Sequence, residues 1–520
     1  MTDYINRLFT GTGTPSRTTL VVVATLVTAA FLSLKPTLDR QRRNARRKGS
    51  AALDILPGPE RHPLLGNVKN FPRSDWVGVF RNWQALYGDV IYMKLPAFDV
   101  LVLNSLQDAE ELFGKHANVW SARSANRMVT KEMDFGWSVL FMDTTEGFYE
   151  TRKVFRKVLG PNVMMDYDHL IDLAADSLIQ NLKHFSGDPE QIVKDAVGSV
   201  IIKIAYGDKI HREHGEELIK LNGELVESVT YAVSQIWLVN IFPWTRFLPS
   251  WTPGISFIKF ASKARELSTK VRQWGFSLVQ QDMRKEDADF SVISKYLSEP
   301  TFTEEYLRDG VAMMYFGGVD TTSSALLNFL SVMLTHPEVQ KKIHEELDRI
   351  VGKGNRPTAA DIPSLKYLDA AWKETLRLIS PIPTGVPHVN ASDDVWKGVF
   401  LPKGTIIVPN ISFMLRDPRL WGPDADEFKP ERFLSSDLSS GDNQPQQQLP
   451  DVQSIPFGFG RRICPGRYMA ERNGLMFSAS MLAAYEILPP LGDGGPVTVK
   501  YTTGQIQRPE GMECRFIPRQ

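Results

Sequence analysis

Apolar positions along the chain follow three patterns. The first is a run without charge: Thr18 to Leu34 reads TTLVVVATLVTAAFLSL, seventeen residues, close to the shortest helix that spans a bilayer. The second is β-like. Asp89 to Leu95 and Val100 to Leu103 are β-branched and apolar, split by Pro96-Ala97-Phe98-Asp99, and predict a hairpin in a small sheet. Ile406 to Val408, after the turn-forming Leu401-Pro402-Lys403-Gly404-Thr405, predicts another strand. The third is helical and covers most of the chain from about Asp108 onward. Tyr367 to Ile379 reads as an amphipathic helix, and Glu304 to Thr335 as a long one. The middle of the long one, Val311 to Leu330, is apolar on nearly every side, as in a helix buried in a large protein or a membrane. Gly317-Gly318-Val319-Asp320-Thr321-Thr322 interrupts it, and predicts an opened turn with room for a small ligand beside acid and hydroxyl groups. A membrane span would not readily bury Asp320, so the protein interior is the better setting. Pro337 ends this helix or starts the next.

Charge around the first run sets its orientation. Lys35, Arg40, Arg42, Arg43, Arg46, Arg47 and Lys48 follow it, whereas only Arg7 and Arg17 precede it. A cleaved signal peptide would carry its basic residues in front. The positive-inside rule therefore gives a short lumenal N-terminus (1–17), a signal-anchor (18–34), a basic linker beside lipid headgroups (35–55) and a cytosolic body (56–520). Leu56-Pro57-Gly58-Pro59 makes a stiff hinge at the start of that body.

Composition narrows the class. Lysine plus arginine and aspartate plus glutamate balance at 60 each, which argues against a nucleic-acid binder. Two cysteines, Cys464 and Cys514, allow one disulfide but suit a reducing, cytosol-facing domain better. Two asparagines, Asn390 and Asn410, begin glycosylation sequons that a cytosolic body would leave unused. The stretch 435–448 is rich in Ser, Asp and Gln and predicts a mobile loop. Ala122 to Trp137 and Trp237 to Pro253 are apolar and aromatic without a steady period, so they line a pocket, touch a membrane or pack in the core.

The chemistry concentrates in Pro456-Phe457-Gly458-Phe459-Gly460-Arg461-Arg462-Ile463-Cys464-Pro465-Gly466-Arg467. Glycines let backbone approach a flat group closely, arginine holds carboxylates by forked bonds, and a thiolate is a soft metal ligand. The order Phe457, Gly460, Arg462, Cys464, Gly466 resembles the F-x-x-G-x-R-x-C-x-G signature of the cytochrome P-450 superfamily. Gly317 to Thr322 fits that family's [AG]-G-x-[DE]-T-[TS] helix motif. Glu374-Thr375-Leu376-Arg377 and Phe428-Lys429-Pro430-Glu431-Arg432-Phe433 fit its E-x-x-R and P-E-R-F segments. Its W-x-x-x-R helix is met by Phe148 and Arg152, with phenylalanine in place of an N–H donor.

The resemblance implies a mainly α fold with a small β-rich part, preceded by one transmembrane helix, although length alone suggests two or three domains. It implies haem b, with Cys464 as axial thiolate and Arg462, Arg152 and His388 meeting the propionates beside Phe457 and Gly460. A lone histidine is as readily a core or surface residue. Asp320 and Thr321 would relay protons in a groove that accepts dioxygen, while Glu374, Arg377 and Arg432 would form a structural ion triad. Arg152, Lys153, Arg156 and Lys157 form a basic helix face, either plain solvated surface or a docking site for an acidic reductase.

The text around these motifs is similar to fungal microsomal members, many of which serve secondary metabolism. The implied activity is insertion of one oxygen atom from O2 into an apolar metabolite, a terpenoid or polyketide. No dinucleotide or flavin fingerprint is present, so electrons come from another protein; the resemblance implies an NADPH-cytochrome P-450 reductase in the endoplasmic reticulum membrane, with cytochrome b5 a second candidate donor. Arg123, Arg127 and Lys131, with Met313, Met314 and Phe316, are candidates near the substrate. The rival readings are an isomerase or dehydratase of the same fold, a haem sensor or carrier, and a membrane-tethered structural protein.

Overall fold

The computed structural model describes residues 49–519 apart from 64, 124–125, 249–254, 256, 300, 435–448 and 492–496. The expected lumenal stretch, signal-anchor and most of the basic linker lie outside the described residues, as does the 435–448 loop. Among the described residues no helix is long and apolar enough to cross a membrane.

The longer helices are α1 (Trp76–Tyr87), α2 (Glu146–Val158), α3 (Asp168–Leu182), α4 (Glu190–Tyr206) and α5 (Asp208–Ser234), then α6 (Phe257–Arg284), α7 (Glu304–Thr335), α8 (Pro337–Ile350), α9 (Lys366–Leu378) and α10 (Arg467–Ala484). Helix α7 is the hub, packed against α2, α4, α5, α6, α9 and α10. Its all-round apolar sequence explains this, because every face has a neighbour to meet. Glu304 and Glu305 in its first turn complement the helix dipole. It stops at Thr335 because Pro337, which has no N–H to donate, opens α8 instead. Gly318 lets α4 come close: a Cβ there would stand 2.6 Å from Ile201 Cδ1.

The interruption in α7 does not open the helix, contrary to the sequence expectation; the helix is unbroken from Glu304 to Thr335. The hydroxyls satisfy themselves within it. Thr321 Oγ1 donates to the Gly317 carbonyl, Ser323 Oγ to Val319 and Ser324 Oγ to Asp320, each at 2.7 Å. Such i−4 bonds are compatible with a continuous ladder.

Among the described residues the β part has nine short strands: β1 (Val90–Lys94), β2 (Asp99–Leu103), β3 (Ser186–Gly187), β4 (His388–Val389), β5 (Asp394–Trp396), β6 (Val399–Leu401), β7 (Ile406–Pro409), β8 (Tyr485–Leu488) and β9 (Cys514–Pro518). The expected hairpin is β1–β2, antiparallel with Val90 opposite Leu103 and Lys94 opposite Asp99. Strand β2 also runs parallel to β7, and β4 closes the sheet in the order β1-β2-β7-β4. This parallel pair joins residues some three hundred positions apart, a long-range contact that costs much chain entropy to close.

Cys464 and Cys514 are both free thiols, so no disulfide joins them. Both sequon asparagines are buried, at 1% exposure each. Asn390 Nδ2 donates to the Leu401 and Pro402 carbonyls and its Oδ1 accepts from Thr405 N–H. Asn410 Nδ2 donates to Asn104 Oδ1.

Candidate active site

The cysteine loop is closed by its own backbone. Cys464 N–H donates to the Phe457 carbonyl at 2.7 Å, and Gly458 N–H to Ile455. Gly458 and Gly460 take φ of 78° and 55°. At Gly460 glycine is also required for space, because a Cβ would lie 2.0 Å from the Phe113 carbonyl oxygen. Helix α10 begins three residues after Cys464, at Arg467. Burial pushes the Cys464 thiol up, while the Gly466 N–H, Arg152 and Arg467 oppose that shift by favouring the thiolate.

Cys464 borders a cavity in which the centre of a water-sized sphere can occupy about 370 Å³. Its other walls come from α2, α4, α5, the Gly317–Thr322 segment of α7 and the segment before β4. Three guanidinium groups face it: Arg123, Arg152 and Arg462. Arg462 donates to the carbonyls of Ser121, Val139 and Met142 at 2.7, 2.8 and 2.6 Å. Its flat face lies 4.0 Å over the Phe148 ring, so the phenylalanine that replaces the family tryptophan packs against a cation. Arg152 donates to the Ile463 carbonyl at 2.9 Å.

Arg123 donates to the Val386 and Pro387 carbonyls and lies 3.2 Å from His388 Nε2, while its own Nε is buried without a partner. His388 stacks on Phe113 at 4.0 Å, and its Nδ1–H donates to the Trp120 carbonyl at 2.7 Å. That bond leaves Nε2 to accept from Arg123, so the ring is neutral. Burial, with Arg123 beside it, holds His388 well below its ordinary range. Burial likewise pushes Arg462 down to about 9.

Among the described residues none of these three arginines forms an ion pair. A buried cation without a counter-charge is expensive, and three around one cavity call for an anionic ligand. A thiol, close-approaching glycines and guanidiniums that lack carboxylates together fit a flat, iron-bearing group with acidic side arms.

On the α7 wall, Asp320 is 6% exposed. Its Oδ2 accepts from Asn222 Nδ2 at 3.0 Å, and Lys194 Nζ lies 3.6 Å from Oδ1. Burial pushes the Asp320 carboxyl up, with Lys194 and Arg508 opposing. Lys194 also pairs with Glu190 at 2.8 Å, and Arg508 with Glu190 at 3.0 Å, so a chain of charges runs from Asp320 toward the half-buried Glu190. Below the cavity, Arg377 grips Glu374 with Nε at 2.7 Å and Nη2 at 2.8 Å, and Arg432 Nε reaches the same carboxylate at 3.3 Å. Lys429 N–H adds a fourth donor at 2.9 Å.

A family model described as cytochrome P450 (here written P-450) matches residues 56–512. The chain belongs to the cytochrome P-450 family. It is 31% identical over 476 residues to cytochrome P-450 monooxygenase 226 of Postia placenta, covering 89% of this chain and 88% of that one. Monooxygenase 208 of the same fungus is 32% identical, covering 91% and 92%. Monooxygenase COX2 of Coprinopsis cinerea is 31% identical, covering 89% of each. The protein is thus a cytochrome P-450 monooxygenase, and membership implies haem, O2 and a redox partner.

The structure sharpens the P-450 reading in two places. Of the three cations expected near the substrate, only Arg123 borders the cavity. Arg127 instead pairs with Glu132, and Lys131 is exposed although Thr130 and Met133 on either side of it are buried. Sequence reasoning missed Arg123 as a partner of His388, and Lys194 and Asn222 as holders of Asp320. No local motif marks them, since each reaches its partner from a distant helix or loop.

Proposed function

We propose that Cys464 ligates the haem iron and that Arg123, Arg152 and Arg462 hold the propionates, with His388 acting through Arg123, whose guanidinium its Nε2 positions. The supporting observation is one cavity that joins a free thiol to three arginines, none of them in an ion pair among the described residues. Haem bound there supplies oxygen activation and one-oxygen transfer. Asp320 Oδ1 takes protons from the Lys194–Glu190 side, its raised affinity suiting it to hold one. Thr321 Oγ1, freed from the Gly317 carbonyl, passes them into the cavity. The apolar walls exclude water and favour a bulky uncharged metabolite, a terpenoid or polyketide. In this reading residues 18–34 anchor the enzyme in the endoplasmic reticulum membrane beside an NADPH-dependent reductase, with the body in the cytosol.

Reduction under carbon monoxide tests the ligation: a Soret band without the red shift of a thiolate sinks it. Thr321→Ala is expected to uncouple O2 consumption from product formation while leaving haem content intact; unchanged coupling removes the relay role. Turnover without reductase would favour the isomerase or dehydratase alternative.

A further inference from the structure

A hairpin near the C-terminus carries its tip into the cavity wall. Tyr501 bridges Pro509, and Thr502 N–H donates to the Arg508 carbonyl at 2.9 Å. Thr502 Oγ1 donates to the Ile506 carbonyl at 2.8 Å and accepts from Arg508 N–H at 3.1 Å. The arm just past the tip is tied to the body through Gln507, whose N–H donates to the Pro381 carbonyl at 2.9 Å and whose carbonyl accepts from Asn328 Nδ2 of α7 at 3.1 Å. A tip held this way loses little freedom when a ligand arrives.

That tip puts Gln505 and Ile506 on the cavity surface. Thr384 Oγ1, on a buried residue, donates to Gln505 Oε1 at 3.3 Å and fixes the carboxamide. Gln505 Nε2 has no hydrogen-bond partner among the described residues. Thr230 of α5 faces the same corner, because a Cβ built on Gly504 would lie 3.8 Å from Thr230 Cγ2. The neighbouring lining is aliphatic: Val226, Val229, Val233 and Ile506. In an apolar pocket the few placed polar groups decide orientation.

We propose that Gln505 Nε2 is the donor that selects and orients the substrate, through one neutral acceptor oxygen on an otherwise apolar body. A neutral amide on an aliphatic wall cannot offset a charge, so the acceptor is a carbonyl or ether oxygen, not a carboxylate. This deepens the monooxygenase reading and rests on the haem-thiolate assignment for its reporter.

The test uses two matched series of N-alkylimidazoles with tails lengthened one methylene at a time, ending in a methyl ketone or in the isosteric hydrocarbon. Each coordinates haem iron through its imidazole, so the Soret shift reports binding whatever the tail contacts. At one tail length the ketone is expected to bind about three- to tenfold more tightly than its hydrocarbon. Gln505→Leu erases that preference while leaving hydrocarbon affinity unchanged, and Thr384→Val reduces it. No ketone preference at any length, or a preference that survives Gln505→Leu, overturns the inference. A protein whose Soret band shifts with no member of either series overturns the haem assignment, and this inference with it.

Discussion

Two sets of buried and half-buried arginines differ in what completes them. Arg377 and Arg432 share the Glu374 carboxylate, and their remaining donors reach carbonyls of Leu415, Ala425, Glu427, Trp421 and Asp424. Nothing is left for a ligand to supply. Arg123, Arg152 and Arg462 are bonded to carbonyls too, but among the described residues none of them is in an ion pair, and Asp143 offsets the charge of Arg462 only from farther off. The same residue type is therefore structural in one place and receptive in the other. The counter-charge decides which.

The comparison can be broken most sharply at Glu374. Glu374→Gln leaves two buried cations around a neutral amide and is expected to cost about 3–5 kcal/mol, with or without haem. Denaturant unfolding of both forms checks this. Arg152→Gln keeps a neutral donor for the Ile463 carbonyl but removes a cavity cation. Haem affinity should fall about ten- to hundredfold, from about 1.5–3 kcal/mol of charge-assisted bonding, while stability of the haem-free protein holds. Equal losses in the two forms would erase the distinction.

Near neutral pH, acid acts on the cavity side through His388. Its folded-state proton affinity is depressed from the ordinary 6.5, so its contribution is complete above that pH and is lost as pH falls toward the depressed value. Arg123 and Arg462 face it and oppose its protonation; the Trp120 carbonyl favours it. Haem-free protein should lose up to about 1.4 kcal/mol per pH unit below 6.5 through this residue. His388→Gln should flatten the slope by that amount. His344, pushed down to about 4 by burial, slopes the same way, so the difference between the two proteins is the quantity to read. The smallest effect is at Phe148: Phe148→Leu removes the face beneath Arg462 and should lower stability by about 1 kcal/mol, measured by thermal unfolding.

Elements set by period were legible. The bounds of α7 and the β1–β2 hairpin follow from apolar patterning, and the ion triad from its two motifs. What was not legible depends on contacts between distant segments. The β2–β7 pairing, the link from Arg123 to His388 and the hold of Lys194 and Asn222 on Asp320 have no local signature. The opened turn in α7 was a local inference that tertiary packing overrode. Gly317 and Gly318 looked like weak points for the helix, yet Gly318 serves the approach of α4, and the neighbouring hydroxyls bond inward. The apolar loops divided as packing allowed: Phe135 is fully buried against Trp137 and Phe316, whereas Phe247 is 74% exposed.

The two buried sequons impose an order of events on synthesis. Each asparagine uses its side-chain nitrogen inside the fold, the atom to which a glycan would be attached. A sugar added first would block Asn390 from closing its turn and Asn410 from meeting Asn104. The body therefore matures only where folding precedes glycosyl transfer or escapes it.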